Sequence, residues 1–390
     1  MSRLAYALIL LGAFLVYTSA NAPVPIAGEL RASLSLTGDE AALFMVPFAV
    51  GFGIGCVMWF LVARQAGPRV LPPLALSLIG VANLIVVVAD TTATAGTARF
   101  AVGLASAAFP AAAQSLISQA AAPGVRGRMT GGFGAAVVSG GVLGQTAVGA
   151  LADLRDAPTA LTILCGIAPL VCAVALRAAL PATIGAGGGP PPARIPRLLR
   201  QQWPPIALAA LLYGSYWLML SELSEAVRAD RFELTAAQTG LLPILGLAGV
   251  LTTLGGGWLT DRLGFRVPIL ATIALGVVAL AVTIPAGGPL WLFAVGYGVF
   301  IAAYWGFLAP GAGEVAHRSH EGDRQPAMMV FYAAAWAGAS IFGALGPLLP
   351  SWEAAAWVTL GAWVLAGAIA AWRFAGRAGV VMPASAGPIR

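Results

Sequence analysis

The chain has 390 residues, of which 59% are hydrophobic and 9% charged, with a mean hydropathy of +0.88. An ordinary soluble domain carries about 25% charged residues, so a soluble globular enzyme is excluded, and a disordered chain is excluded by the same apolar bias. The net charge of +6 rests on arginine alone, since the sequence has no lysine. These arginines punctuate apolar blocks instead of crowding one face, which points to loops between membrane spans and not to a nucleic-acid partner.

A helix needs about 20 apolar residues to cross the hydrocarbon layer, and its backbone polar groups must be satisfied within the segment. Blocks of that kind run over 4–27, 41–63, 70–90, 97–121, 129–152 and 158–180, then over 204–226, 235–259, 267–285, 289–312, 327–350 and 353–374. The sequence therefore predicts an all-α polytopic membrane protein with twelve transmembrane helices. Arg3, the apolar Leu4–Val16 stretch and Ala20-Asn21-Ala22 imitate a cleavable signal peptide. The apolar character resumes at once, so a retained first span is expected. The interruption at 181–203 is Gly/Pro-rich and then basic, and reads as a cytoplasmic linker with an interfacial helix. With both termini inside, 16 arginines fall on the cytoplasmic side and 5 outside, in keeping with the positive-inside rule. The expected location is the cell inner membrane.

In span one, Tyr17, Thr18, Ser19, Asn21, Pro23 and Pro25 fall within nine residues. Polar groups in lipid must find partners, and proline breaks the helix ladder. The segment is either a substrate-touching turn or polar glue between helices around a kink. Asp90 ends span three and Arg99 begins span four, as a coupling pair or a static bridge. Glycines are dense at Gly51, Gly53 and Gly55, at Gly131, Gly132, Gly134, Gly140, Gly141 and Gly144, and at Gly255, Gly256 and Gly257; with G-x-x-x-G spacings at Gly51/Gly55 and Gly140/Gly144 they suit close helix contact, and we expect them on the surface between two halves.

Span seven carries Tyr213, Tyr216 and Trp217. Span ten carries Tyr297, Phe300, Tyr304 and Trp305, and span eleven Phe331, Tyr332 and Trp336. These rings can hold an amphipathic ligand by stacking, or form an interfacial belt. Ionisable groups inside spans are costly and default to functional candidates. Glu222, within the outer end of span seven, is the chosen proton-coupling carboxyl; the alternative is a solvated group at the interface. Cys56, Cys165 and Cys172 sit in apolar runs, and His317 and His320 share one loop without a cysteine nearby, so neither a disulfide framework nor a metal site is expected. No HExxH or GxSxG motif occurs, and without lysine no Walker motif is possible. The expectation is a non-enzymatic protein without a cofactor.

Shifted by about 197 residues, the chain partly overlays itself. Phe60–Val70 meets Gly257–Val267 and, with a one-residue slip, Gly140 meets Gly338. Two pseudo-symmetric six-helix bundles follow, over residues 1–180 and 204–376, joined by the 181–203 linker and followed by a cytoplasmic tail at 377–390. Parallel repeats of this kind define a large transporter class.

The stretch Gly257-Trp-Leu-Thr-Asp261-Arg262-Leu-Gly264-Phe-Arg266 resembles the cytoplasmic loop signature G-x-x-x-D-R-x-G-x-R of the major facilitator superfamily. Arg99-Phe-Ala-Val-Gly103 resembles its R-x-x-x-G. Gly140-Gly141-x-x-Gly144-Gln145-x-x-x-Gly149 is similar to its antiporter signature, with Gln145 in place of proline. The resemblance implies a secondary transporter that rocks its two halves around a central solute. It also implies gating by Asp261, Arg262, Gly264 and Arg266. In the first-half copy Arg64 replaces the aspartate and Gln65 the arginine, with Arg69 kept. The implied cavity lies among spans one, four, seven and ten, with two, five, eight and eleven beside them. That assigns substrate contact to Tyr17, Asn21, Tyr213, Tyr216, Trp217, Tyr304, Tyr332 and Trp336. Efflux of an amphipathic solute by proton antiport is the preferred reading, proton-coupled or facilitated uptake the alternative, and a non-transporting receptor or scaffold of the same fold a minor one. The expected partners are a small-molecule substrate, the lipid bilayer and protons, with the protein acting as a monomer.

Overall fold

A computed structural model describes residues 2–37, 43–120, 126–180, 195–223, 232, 241–284, 289–319 and 324–375. All regular structure among them is helical. The helices are α1 (Arg3–Asn21), α2 (Pro23–Ser33), α3 (Val46–Val87), α4 (Thr92–Ser106), α5 (Ala108–Ala120), α6 (Arg126–Leu154), α7 (Ala157–Leu161) and α8 (Ala168–Ala179). Next in the chain come α9 (Ile195–Ser221), α10 (Ala248–Leu263), α11 (Arg266–Thr283), α12 (Leu290–Arg318), α13 (Arg324–Leu345) and α14 (Trp352–Ala375). A π-helix at Thr162–Ile167 joins α7 to α8, and a 3-10 helix at Leu242–Leu247 leads into α10.

Among the described residues nine helices are long and apolar enough to cross a membrane, with shorter apolar helices at Val46–Trp59 and Ile244–Thr260. Every predicted block holds helix, but several boundaries move. Span one continues past residue 27 to Ser33 across a one-residue break at Ala22. Span four breaks at Ala107, between α4 and α5. Residues 195–203 are not a separate interfacial helix, because α9 runs unbroken through Pro204 and Pro205 into span seven.

The 42-residue α3 has the length of two spans. A straight helix of that size would reach about 63 Å. Yet Phe44, just before it, and Val86, near its end, belong to one apolar cluster. The run therefore doubles back, and its two arms are spans two and three.

Caps explain several starts. Ser2 Oγ accepts from the Ala5 N–H and Thr91 Oγ1 from the Thr94 N–H. Asp156 Oδ1 accepts from the Thr159 N–H at 2.6 Å, and the N–H and hydroxyl of Thr159 hold this carboxyl below its ordinary range.

In the first half α1 packs on α6 and α8, and α3 on α4, α5 and α8. In the second, α9 packs on α13 and α14, while α10 and α11 pack on α12. Contact between the two sets runs along α3–α13 and α6–α10. The outward faces carry Val88, Val174, Leu251, Val278 and Trp372, all exposed, an apolar surface suited to lipid tails.

Glycines set the closest approaches, though the G-x-x-x-G pairs do not lie between the halves as expected. A Cβ on Gly51 or Gly55 would strike the backbone of α4 at Phe100 or Leu104, and one on Gly140 or Gly144 would strike Phe14 or Thr18 of α1. These faces seat helices within the first half. Other members of the same glycine set do line the seam between halves as expected: Gly53 faces Ala337, Gly134 faces Thr253 and Gly141 faces Trp305. The internal repeat is visible in this packing. Gly140 meets the backbone of α1 at Phe14, and its repeat partner Gly338 meets the backbone of α9 at Ala210.

Candidate functional site

At the centre of the molecule aromatic side chains from both halves form two knots. In the first, Tyr216 stacks on Tyr304 at 3.8 Å between ring centroids, and Tyr213 meets Tyr304 edge-on at 4.9 Å. Trp305 packs against Tyr304 at 4.8 Å and Tyr216 at 6.1 Å, and Tyr17 reaches it from α1 at 6.5 Å. In the second, Trp336 stacks on Phe52 at 4.2 Å and meets Trp217 at 5.0 Å and Phe48 at 5.3 Å. Offset and edge-on geometries of this kind add roughly 0.5–1.5 kcal/mol per pair beyond area burial. Gln114 Nε2 donates to the Tyr332 hydroxyl at 3.3 Å, a polar link between the halves.

All eight residues singled out for substrate contact are buried, and they fall along this seam. Tyr17, Tyr213, Tyr216 and Tyr304 join the first knot; Trp217 and Trp336 join the second. Tyr332 is held by Gln114, and the Asn21 amide approaches Gly141. Tyr297 and Phe300 turn away, toward Phe293 and Trp363 in the second-half core. The sequence reading did not single out Phe48, Phe52 or Gln114. Gln114 carried a signal, as one of two amides in an apolar span, whereas two phenylalanines among many carried none.

Arg99 is fully buried, and its partners are backbone carbonyls. Nε donates to Phe44 O at 3.0 Å, Nη1 to Ser19 O at 3.0 Å and Nη2 to Ala20 O at 3.2 Å. The group also lies 5.0 Å over the Phe48 ring. Asp90 is exposed on the surface, so the pairing of Asp90 with Arg99 expected from sequence is not formed. The reason lies in span one. In a continuous helix Ser19 O would accept from residue 23, but Pro23 has no N–H. Arg99 supplies the missing donor.

Glu222 lies half-buried just beyond α9, where its Oε1 accepts from the Ser221 hydroxyl at 3.4 Å. It sits beside Gly346 at the end of α13. At the other end of the second half Glu314, 5% exposed, pairs with Arg318 at 3.2 Å and Arg373 at 3.5 Å. This cluster ties α12 to α14.

Of the loop signature, Gly264 has a clear structural task. It caps α10 at φ 71° and ψ −178°, with its N–H donating to Thr260 O at 2.9 Å. That backbone region is essentially restricted to glycine. An added Cβ would meet nothing within 4 Å, so strain alone decides the outcome. Gly264→Ala should cost about 1–3 kcal/mol, read as a lower midpoint in thermal unfolding of the detergent-purified protein. An unchanged midpoint would refute this account of the cap. Arg262 is exposed and lies 4.1 Å over the Trp258 ring of its own helix. Arg266 is exposed and Arg69 half-buried. The side chains of Asp261 and Arg64 lie outside the described residues.

A buried seam between two packed sets of membrane-length helices, lined by rings from each, is the arrangement of a carrier with a central site. The comparisons agree with that class. Residues 9–344 match the family model of the Major Facilitator Superfamily, and the chain belongs to that family of membrane transporters. Its fold is similar to that of the human organic anion transporter MFSD10 (TETRAN), at 16% identity and a TM-score of 0.69 over 94% of this chain and 99% of the other. No curated protein sequence matches the chain. The protein is a multi-pass membrane protein of the transporter kind, acting on a small solute.

Proposed function

We propose that the protein exports a small amphipathic organic solute by proton antiport, through alternating access, as a monomer in the cell inner membrane with both termini cytoplasmic. One observation carries the reading: the aromatic seam is built from both halves, with Tyr17, Phe48, Phe52 and Gln114 on one side and Tyr304, Trp305, Tyr332 and Trp336 on the other. Rocking one half against the other parts these contacts and exposes the rings to one side of the membrane at a time. Stacking on rings suits an amphipathic solute. The glycine-rich α6, with its partial antiporter signature, supports the export sense.

Glu222 is the proposed proton carrier. It lies beside the α13 terminus, an element of the seam, and a carboxyl in such a position gains and loses its proton as its burial changes. In proteoliposomes, with a solute first found by thermal-shift screening, Glu222→Gln should abolish solute movement driven by a pH gradient and retain solute exchange. Full pH-driven movement in the variant would remove Glu222 from this role. Facilitated or proton-coupled uptake is the second reading. Its facilitated form is favoured by the lack of a carboxylate, among the described residues, within the two aromatic knots.

A further inference from the structure

Three polar side chains from three different helices converge on Gly141, at the edge of the first aromatic knot. Asn21 follows Tyr17 by one turn on α1. Gln145 follows Gly141 by one turn on α6. Trp305 comes from α12. A Cβ placed on Gly141 would lie 3.3 Å from Trp305 Cζ2 and 3.6 Å from Asn21 Nδ2. All three side chains are deeply buried, at 3%, 1% and 3% exposure for Asn21, Gln145 and Trp305.

Their hydrogen bonding is incomplete in one consistent pattern. Asn21 Nδ2 donates to Tyr17 O at 2.9 Å, and Gln145 Nε2 donates to Gly141 O. Each amide nitrogen thus faces a carbonyl oxygen of its own helix. Turning either amide over would set oxygen against oxygen, so the orientation is fixed by chemistry. The other end of each amide, Asn21 Oδ1 and Gln145 Oε1, has no partner, and neither has the Trp305 indole N–H. Native proteins rarely leave buried polar atoms unpaired, and each such case asks for an explanation. Two acceptors and one donor are thus left open on three side chains that meet around Gly141. Their charge is zero, and the buried cation that reaches the second knot, Arg99, gives its nitrogens to three backbone carbonyls.

We propose that Asn21, Gln145 and Trp305 form a recognition triad for an uncharged solute, one that presents a hydrogen-bond donor beside an acceptor on a flat ring. A primary amide attached to an aromatic system is the fitting chemistry. Its N–H groups donate to Asn21 Oδ1 and Gln145 Oε1, its carbonyl accepts from Trp305 Nε1, and its ring packs against Tyr17 and the flank of the Tyr216–Tyr304 stack. A carboxylate in the same place would set negative charge against two carbonyl oxygens. An ammonium would leave the indole N–H without an acceptor. The proposal rests on the carrier reading above and assigns the substrate class of that site.

Three matched probes test it: indole-3-acetamide, indole-3-acetate and tryptamine, which are neutral, anionic and cationic on one ring system. Binding to the full-length protein in nanodiscs is measured by calorimetry. The amide should bind most tightly. Asn21→Leu and Gln145→Met, both close in size to the native residues, should each weaken its binding about tenfold. The unfolding midpoint should hold or rise, because each change also removes an unpaired oxygen. No binding of the amide, equal or tighter binding of the acetate or the amine, or unaltered amide binding in both variants would overturn the triad. Flux of the amide into proteoliposomes reads the carrier separately. Triad-dependent binding without protein-dependent flux would sink the carrier and leave the triad. Protein-dependent flux that ignores both substitutions would sink the triad and leave the carrier.

Discussion

Arg99→Met should yield little folded protein: the monodisperse peak in size-exclusion chromatography should collapse, and any recovered fraction should unfold at a markedly lower temperature. Methionine keeps an apolar stem of similar reach and removes every donor. Three carbonyls then lose their partner, at Phe44, Ser19 and Ala20. A buried acceptor left unpaired costs about 1–3 kcal/mol. Ser19 O pays in full, because the residue four positions on is Pro23. The loss of desolvation cost on removing a buried cation offsets part of this. The balance remains unfavourable, since the guanidinium also joins the end of α1 to the starts of spans two and four through one rigid fork. Arg99→Lys should recover only part of the loss. An ammonium is a compact point charge, and it does not reproduce the planar fork that reaches three separated oxygens. Wild-type yield and midpoint in Arg99→Met would show that the network is dispensable.

Gly103→Ala should destabilise by about 1–3 kcal/mol, the range for overpacking a well-filled contact, and we place it at the upper end. The added methyl would overlap the Phe48 carbonyl. Backbone does not yield as a side-chain tip does, so α4 and the first arm of α3 must move apart. That motion also lengthens the bond from Arg99 to Phe44 O, one turn away, and the two effects compound. Gly361→Ala supplies the opposite sign. It lies on an exposed face of α14 with nothing within 4 Å of an added Cβ. Alanine is favoured over glycine in a helix interior by about 1 kcal/mol, so this variant should match or exceed the native midpoint. Differential scanning fluorimetry of both proteins in one detergent decides the matter. Equal midpoints would mean that the close approach at Gly103 carries no energetic weight.

Much of the architecture can be read from the chain because it depends on local content. Apolar runs of membrane length each act within one segment, and lipid permits a single solution for such a segment. The repeat between Gly140 and Gly338 was readable for the same reason, as identical residues at a fixed offset. The D-R-x-G-x-R stretch pointed to the family because its spacing is specific, and the structure adds that Gly264 is held there by its backbone angles.

Partner choice was not readable. Asp90 and Arg99 looked like a pair, being opposite charges on either side of a short loop. Only the packed fold revealed that Arg99 turns inward to three carbonyls, one of them, Ser19 O, freed by Pro23 far away in sequence. The glycine pairs at Gly51/Gly55 and Gly140/Gly144 announced close contact but not with which helix. Phe48 and Phe52 joined the seam without any distinguishing pattern. The physical reason is common to all three. In lipid, faces that meet neighbouring helices and faces that meet hydrocarbon are both apolar, so hydropathy marks each helix without marking its contacts. Segment identity was fixed by composition, whereas the meeting of Asn21, Gln145 and Trp305 at one glycine was decided only when the helices packed.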